Sequence, residues 1–354
     1  MIKELTSIRI LLMLMIFVHH IYTSYNGGYP AVAGFFVLGG FVMTLGYKDK
    51  MESDNFSYSS YLIKRLLRIY PMHWVCLSLM LLITFIKGGV AVPSYSNLIL
   101  NALLLQSWVP EMDVYFSYNA LSWYCFSLIL FIVFFPLFIQ SLARANKSDK
   151  IILWSIIVGL YMLLWAVFPT TWRHAVLYIN PVMRLFDSLI GVGAALLILH
   201  IKNNPSCLES ISKHKTLLQI LPIVGIISFI LSSVYLQGVW KSCSLIYWIS
   251  ILPVIISLTL LSCIKSENSL SHILTSKPIL WIGRCSFSFY MIHALVIRFL
   301  TSYTAKYIPL CDNVFIRTAV LFIISFGLAQ VLYSIVEVKF TNKLNNMILK
   351  QQHI

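Results

Sequence analysis

The chain has 354 residues, 59% of them hydrophobic and only 11% charged, with a mean hydropathy of +0.84. Such values exclude a soluble domain built around a core and predict an integral membrane protein of the all-α class, a polytopic transmembrane helix bundle. The formal net charge of +14 is carried mostly by basic residues between apolar runs, where the positive-inside rule accounts for it, so no nucleic-acid partner is expected. The seven cysteines show no CxxC pair and no metal-ligand spacing, so neither a disulfide framework nor a metal site is expected.

The first apolar run is R-I-L-L-M-L-M-I-F-V-H-H, from Arg9 to His20. Lys3 and Glu4 precede it and no small-residue cleavage site follows, so a first transmembrane helix is expected, not a removed signal. Eleven helical steps turn about 1100°, which puts Arg9 and His20 on one face about 16 Å apart and His19 about 100° away. Ionisable residues at membrane depth are functional candidates by default. The plainer reading is that Arg9 snorkels to the interface and His20 ends the span. The turn signal N-G-G-Y-P, Asn26 to Pro30, predicts a tight hairpin into a second run that contains G-F-F-V-L-G-G-F, Gly34 to Phe41. Small residues let helices approach closely in lipid. Gly39 and Gly40 therefore serve either close packing against the first helix or a thin ligand lying beside His20.

The most basic stretch follows: Y-L-I-K-R-L-L-R-I-Y-P-M-H-W, Tyr61 to Trp74. Lys64 and Arg68 share a helix face with Arg65 beside it, and Pro71 is expected to start the next span. The cations suit either anionic lipid headgroups or a phosphorylated cytosolic ligand, since arginine matches phosphate with two parallel hydrogen bonds.

Further apolar segments fall near 71–86, 96–109, 119–142, 151–168, 178–199, 217–236, 243–264, 281–301 and 314–338, after the first two at 8–25 and 30–47. The segment at 96–109 is short and carries Asn97, Asn101 and Gln106. If it does not cross, the basic residues of the loops divide unevenly. One side carries Lys3, Arg9, Lys48, Lys50, Lys64, Arg65, Arg68, Arg144, Lys147, Lys150, Lys202, Lys213, Lys215, Lys265, Lys277, Arg284, Lys339, Lys343 and Lys350; the other has Lys87, Arg173, Lys241 and Lys306. A crossing there would invert every later loop and erase the bias. The expected topology is therefore ten spanning helices, both termini cytoplasmic, with an interfacial or re-entrant piece near 96–109. No internal repeat or linker marks a second domain, so residues 1–354 are expected to form one. Arg184, Asp187, Arg298 and Glu337 lie in or near spans and are expected to form ion pairs, Arg184 with Asp187 three residues on.

Several of these stretches, in this order, resemble the acyltransferase-3 family of bacterial membrane O-acyltransferases. They are Arg9-x10-His20, F-F-V-L-G-G-F, K-R-L-L-R-I-Y-P, the tryptophan-led segment from Ala120 to Phe138, R-L-F-D-S-L-I-G from Arg184, K-P-I-L-W-I-G-R-C-S-F-S-F-Y-M-I-H from Lys277 to His293, and Y-S-I-V-E-V-K-F from Tyr333. The chain departs from the family pattern at Ala33 and Gly39, where Asp and Ser are usual, and near Leu128 and Ile129, where many relatives have a glutamate. Longer relatives add a soluble esterase-like domain, which is not expected here. The resemblance implies transfer of an acetyl group from cytosolic acetyl-CoA to a hydroxyl of an extracytoplasmic or lipid-linked glycan, such as an O-antigen, capsule or exopolysaccharide. It places the protein in a bacterial cytoplasmic membrane, in contact with membrane lipid. Acetyl-CoA is the expected donor, with no metal. Arg65, Arg68 and Lys64 would hold the CoA phosphates, Arg9 would sit at the mouth, and His20 would act as general base or as acyl-carrying nucleophile, the base being preferred. His293 is either a buried, satisfied histidine or a residue that positions a substrate, and His19 is structural or a partner to His20. On physics alone a glycan or glycolipid transporter fits the same spans and buried charges, and a non-catalytic subunit of a glycan-synthesis complex is a third reading.

Overall fold

A computed structural model describes residues 2–22, 24–87, 94–235, 243–264 and 269–351. Lys241 and Lys265 of the loop charges, and the last residue of the 217–236 segment, lie outside the described residues. The long helices are α1 (Glu4–Ile21), α2 (Gly28–Met51) and α3 (Tyr58–Lys87), followed by the short α4 (Tyr95–Ala102). Then come α5 (Trp123–Arg144), α6 (Lys147–Val167), α7 (Pro181–Lys202), α8 (Lys215–Tyr235) and α9 (Ser244–Cys263). The short α10 (Lys277–Arg284) leads into α11 (Ser286–Tyr307) and α12 (Val314–Leu332), and α12 continues through a π-helical stretch, Tyr333–Phe340, into α13 (Thr341–Gln351). The described residues contain no strand.

Among the described residues, nine helices are long and apolar enough to cross a membrane. The pair α10 and α11, broken at Cys285, makes ten if it is one span. That agrees with the ten spanning helices expected from the sequence. The 96–109 segment holds only the eight-residue α4 and a three-residue 3₁₀ turn at Gln106–Trp108. Eight residues rise about 12 Å, well short of the hydrocarbon thickness.

One expectation needs correction. Pro71 does not start a span: α3 runs unbroken from Tyr58 to Lys87, and the basic residues lie on its own first turns. Proline interrupts a helix because it lacks the N–H that would bond the carbonyl four residues back, here that of Leu67. The Thr341 hydroxyl donates to that oxygen at 3.2 Å, sharing its hydrogen with the Val336 carbonyl. In α5, Pro136 orphans the Ile132 carbonyl in the same way, and the Tyr61 hydroxyl donates to it at 3.0 Å. Lipid offers no water to do this work, and at Pro71 and Pro136 a neighbouring hydroxyl reaches the freed oxygen instead.

The chain folds as two compact units, each discontinuous in sequence: Met1–Phe56 with Phe134–Arg284, and Ser57–Val133 with Cys285–Ile354. In the first unit, α2 and α7 meet backbone to backbone. A methyl on Gly40 would stand 2.0 Å from the Ser188 carbonyl oxygen, and one on Gly191 would stand 2.0 Å from that of Val37. The close contact made by the glycine run thus falls on α7, while Gly34 alone faces α1, at Leu12. The start of α1 is tied down by Ser271, whose hydroxyl donates to Glu4 at 2.6 Å, and by Ser7, which donates to the Leu274 carbonyl. Gly283 of α10 lies so close to Thr6 that a methyl would come 2.6 Å from its carbonyl.

In the second unit the residues between α4 and α5 fold back through hydrogen bonds. Asn119 donates to the Met291 carbonyl of α11 at 3.1 Å, and Tyr290 donates to the Leu121 carbonyl at 3.2 Å. The α3 side chains Trp74 and His73 bond the Ala102 and Asn101 carbonyls at 3.1 and 2.8 Å. Ser288 donates to Glu337, which is nine-tenths buried in the π-helical stretch, and Gln330 donates to the Cys285 sulfur at 3.2 Å.

Candidate active site

Two histidines close α1 at its C-terminal turn, both half-buried. The His20 Nδ1 lies 2.8 Å from the Ile16 carbonyl oxygen. A carbonyl can only accept, so Nδ1 carries the hydrogen and the neutral ring has its lone pair at Nε2. A general base works through such a ring lone pair. His19 faces elsewhere. Its Nδ1 is bonded to the Tyr25 carbonyl at 2.5 Å, and its ring lies against the backbone of Gly28, where a methyl would come 2.4 Å from Cδ2. His19 therefore shapes the turn between α1 and α2, while its ring meets that of His20 edge-on at 5.4 Å.

Beyond His19 the rings continue. Tyr29 lies 5.6 Å from His19, 6.0 Å from His174 and 4.6 Å from Tyr178, and His174 lies 5.4 Å from Tyr178. His174 and Tyr178 come from a π-helical segment, His174–Ile179. Stretches of this kind are rare and recur at functional sites. The Arg184 guanidinium sits over Tyr178 at 5.2 Å. Arg184 and Asp187, both fully buried, pair at 2.7 Å along α7, as their spacing predicts. Trp248 donates to Asp187 at 2.5 Å, and Arg184 donates to the Leu177 carbonyl at 2.6 Å and the Ser244 hydroxyl at 3.0 Å. Tyr161 accepts from the Ser244 amide at 2.8 Å. A buried pair survives best when further hydrogen bonds meet its remaining valences; these partners meet several of them, while Arg184 Nε has no hydrogen bond among the described residues.

A family model described as an acyltransferase domain matches residues 2–334. The chain belongs to the acyltransferase-3 family. It is 26% identical over 323 residues to "Putative O-acetyltransferase SACOL0978" of Staphylococcus aureus (strain COL), covering 85% of this chain and 52% of that protein. It is 24% identical over 293 residues to "Acyltransferase MdmB" of Streptomyces mycarofaciens, covering 77% of this chain and 69% of that one. The chain thus spans about half the length of the Staphylococcus relatives it matches. No solved structure matches it.

In this member of the family, the first unit brings together His20, His19 and the His174, Tyr29 and Tyr178 rings. Arg9 is half-buried on the same helix as His20. Gly40 is held against α7, but a methyl on Gly39 would meet no atom within 4 Å, so that position is open. The second unit carries the remaining candidates. Lys64 and Arg68 are exposed on α3 and form no ion pair among the described residues, and Arg65 beside them is half-buried. Lysine and arginine side chains suit phosphate oxygens by charge, and arginine by geometry as well. His293 is fully buried, bonds the Phe289 carbonyl through Nδ1 at 2.9 Å and stacks on the Phe289 ring at 5.3 Å. Its Nδ1 is thus held as that of His20 is, by the carbonyl four residues back. Of the other charges in or near spans, Arg298 is exposed with its guanidinium 5.8 Å from the Phe299 ring, and Glu337 accepts from the Ser288 hydroxyl. Among the described residues no group of three His, Cys, Asp or Glu could hold a metal ion.

Four residues of these networks carry no mark in the sequence pattern: His174, Tyr178, Trp248 and Tyr161. His174 stands near a polar loop and reads as solvated, and the aromatic residues read as lipid-facing or core. Only the pairing of Arg184 with Asp187 pointed to that region, and a search for the donors such a pair needs would have reached Trp248.

Proposed function

We propose that the protein is a membrane O-acyltransferase that moves an acetyl group from cytosolic acetyl-CoA to a hydroxyl of an extracytoplasmic or lipid-linked glycan, with His20 as its base. The observation that carries this reading is the anchored His20 ring in a member of an acyltransferase family. Nε2 takes the proton of the acceptor hydroxyl as its oxygen attacks the thioester carbonyl carbon. The tetrahedral intermediate collapses, the carbon–sulfur bond breaks, and the CoA thiolate leaves and recovers the proton from the imidazolium. The products are the acetyl ester and CoA, and His20 returns to its starting state. Lys64, Arg65 and Arg68 hold the donor's phosphates, and Arg9 contributes a further positive charge on the His20 helix. Membership of an acyltransferase family favours this reading over the transporter.

The test is glycan mass spectrometry on cells that carry the gene, lack it, or carry His20→Ala or His19→Ala. General-base catalysis contributes about 10²–10⁴-fold, so His20→Ala is expected to remove the acetyl-sized mass increment while the protein remains in the membrane. His19→Ala is expected to keep most of it. An active His20→Ala with a dead His19→Ala would overturn the assignment. Arg65→Ala with Arg68→Ala is expected to weaken acetyl-CoA binding by an amount that shrinks as salt rises, because exposed charges are screened. Unchanged affinity would return these cations to the lipid headgroups.

A further inference from the structure

The second unit holds a buried polar cluster that the His20 reading leaves unused. His73, Asn101, Gln106 and Ser122 are fully buried, and Ser107 is 2% exposed. The cluster is wired internally: Gln106 donates through Nε2 to Ser122 at 2.8 Å, Asn101 donates to Ser117 at 2.6 Å, and Ser122 donates to the Asn119 carbonyl at 2.7 Å. His73 Nε2 lies 2.8 Å from the Asn101 carbonyl, so this ring has the opposite tautomer from His20, with its hydrogen on Nε2 and its lone pair on Nδ1. Three buried atoms then remain without a hydrogen bond among the described residues: His73 Nδ1, Gln106 Oε1 and Ser107 Oγ. The first two can only accept, and the third can accept or donate. Buried polar atoms almost always have partners, so each of these calls for one.

The backbone adds an independent observation. Leu104 and Tyr118, both buried, adopt φ of +63° and +54°. Bulky residues are rarely held in this left-handed region, and such strain concentrates at ligand clamps, where surrounding contacts fix it. The two residues bracket Gln106 and Ser107. A partner for this cluster must supply hydrogen-bond donors without charge, since no acidic side chain belongs to it. Hydroxyl groups have that chemistry.

We propose that the cluster of His73, Gln106 and Ser107 binds hydroxyl groups of the carbohydrate acceptor, an inference that rests on the acyl-transfer reading above. Water offers the same O–H donors, and the experiment separates the two sources. His73→Gln keeps a nitrogen donor where Nε2 meets the Asn101 carbonyl but takes the acceptor away from the Nδ1 position, its own amide oxygen lying elsewhere. Ser107→Ala removes a hydroxyl that has no hydrogen bond among the described residues. Both variants of the full chain are compared with the wild type in lipid nanodiscs, using surface glycan extracted from cells that lack the gene as probe. Thermal unfolding is read with and without the glycan, beside transfer from labelled acetyl-CoA. Without glycan both variants are expected to unfold at the wild-type temperature or above it. With glycan the wild-type midpoint is expected to rise and the rise to be reduced in both variants. The KM for glycan is expected to increase about tenfold in each, with acetyl-CoA affinity unchanged. An equal glycan-induced rise in all three proteins, or none in the wild type, would overturn the proposal and assign the cluster to water. If glycan raises the wild-type midpoint and not that of the variants, yet no acetyl group is transferred, the binding site stands and the transfer reading falls.

Discussion

Helices in the first unit meet by bringing backbones together: Gly40 and Gly191 admit the Ser188 and Val37 carbonyls into the space a methyl would fill. Its fully buried charges Arg184 and Asp187 pair with each other, and Trp248 and Ser244 add hydrogen bonds. Helices in the second unit are instead joined by side chains that bond carbonyls, as His73, Trp74, Asn119 and Tyr290 do. The first design concentrates its stability in a few contacts that tolerate no added atom and no lost charge. The second spreads it over many bonds, each of ordinary strength, and can leave some atoms for a ligand. Single substitutions should therefore cost more in the first unit than in the second.

The largest expected effect is at the ion pair. Asp187→Ala strands the fully buried Arg184 guanidinium, and breaking a buried pair in this way costs about 3–5 kcal/mol. Replacing both residues with leucine removes the stranded charge, so thermal unfolding in detergent should find the double variant more stable than Asp187→Ala. The opposite order would show that the pair does not hold the first unit together.

The glycines come next. Gly40→Ala places a methyl against the Ser188 backbone, where neither helix can give way cheaply, and overpacking typically costs about 1–3 kcal/mol. Gly39→Ala meets nothing within 4 Å and should leave the unfolding temperature unchanged. The neighbouring positions thereby separate packing from function. A stable Gly39→Ala with reduced acetyl transfer would show that the open space beside Gly39 admits a substrate. A stable and fully active one would leave the glycine run with packing alone.

The spans, the short 96–109 segment and the pairing of Arg184 with Asp187 were legible in the sequence because each is written along one stretch of chain. Apolar length marks a span, and a spacing of three marks a shared helix face. The partners that lie elsewhere in the chain were not legible. Nothing about Gly40 announces Ser188, and nothing about Asp187 announces Trp248, because helix-to-helix register depends on packing that periodicity does not encode. Pro71 misled for the same reason. Read alone it ends a helix, and only the arrival of Thr341 lets α3 continue. At the candidate site, the spacing of Arg9 and His20 puts the two on one helix face, but the tautomer of His20 and the ring cluster around Tyr29 exist only in the folded unit. Asn101 and Gln106 stood out as polar residues in an apolar run. Their burial in a network with His73 could not be read from that.

The smallest expected effect tests whether hydroxyls hold the second unit together where prolines free a carbonyl. Tyr61→Phe removes the hydroxyl that meets the Ile132 oxygen at 3.0 Å, leaving a buried carbonyl without its donor. That loss should cost about 1 kcal/mol, the lower end of the range for an unsatisfied buried group. A double-mutant cycle isolates the cause. In a Pro136→Ala background the helix regains the N–H that bonds Ile132, so the Tyr61 hydroxyl becomes redundant and Tyr61→Phe should cost close to nothing. The two substitutions would then be coupled, with Pro136→Ala rescuing Tyr61→Phe. Strict additivity would mean that the freed carbonyl is met in some other way and that Tyr61 contributes through its ring. Its hydroxyl would then have to be struck from the bonds that distinguish the second unit from the first.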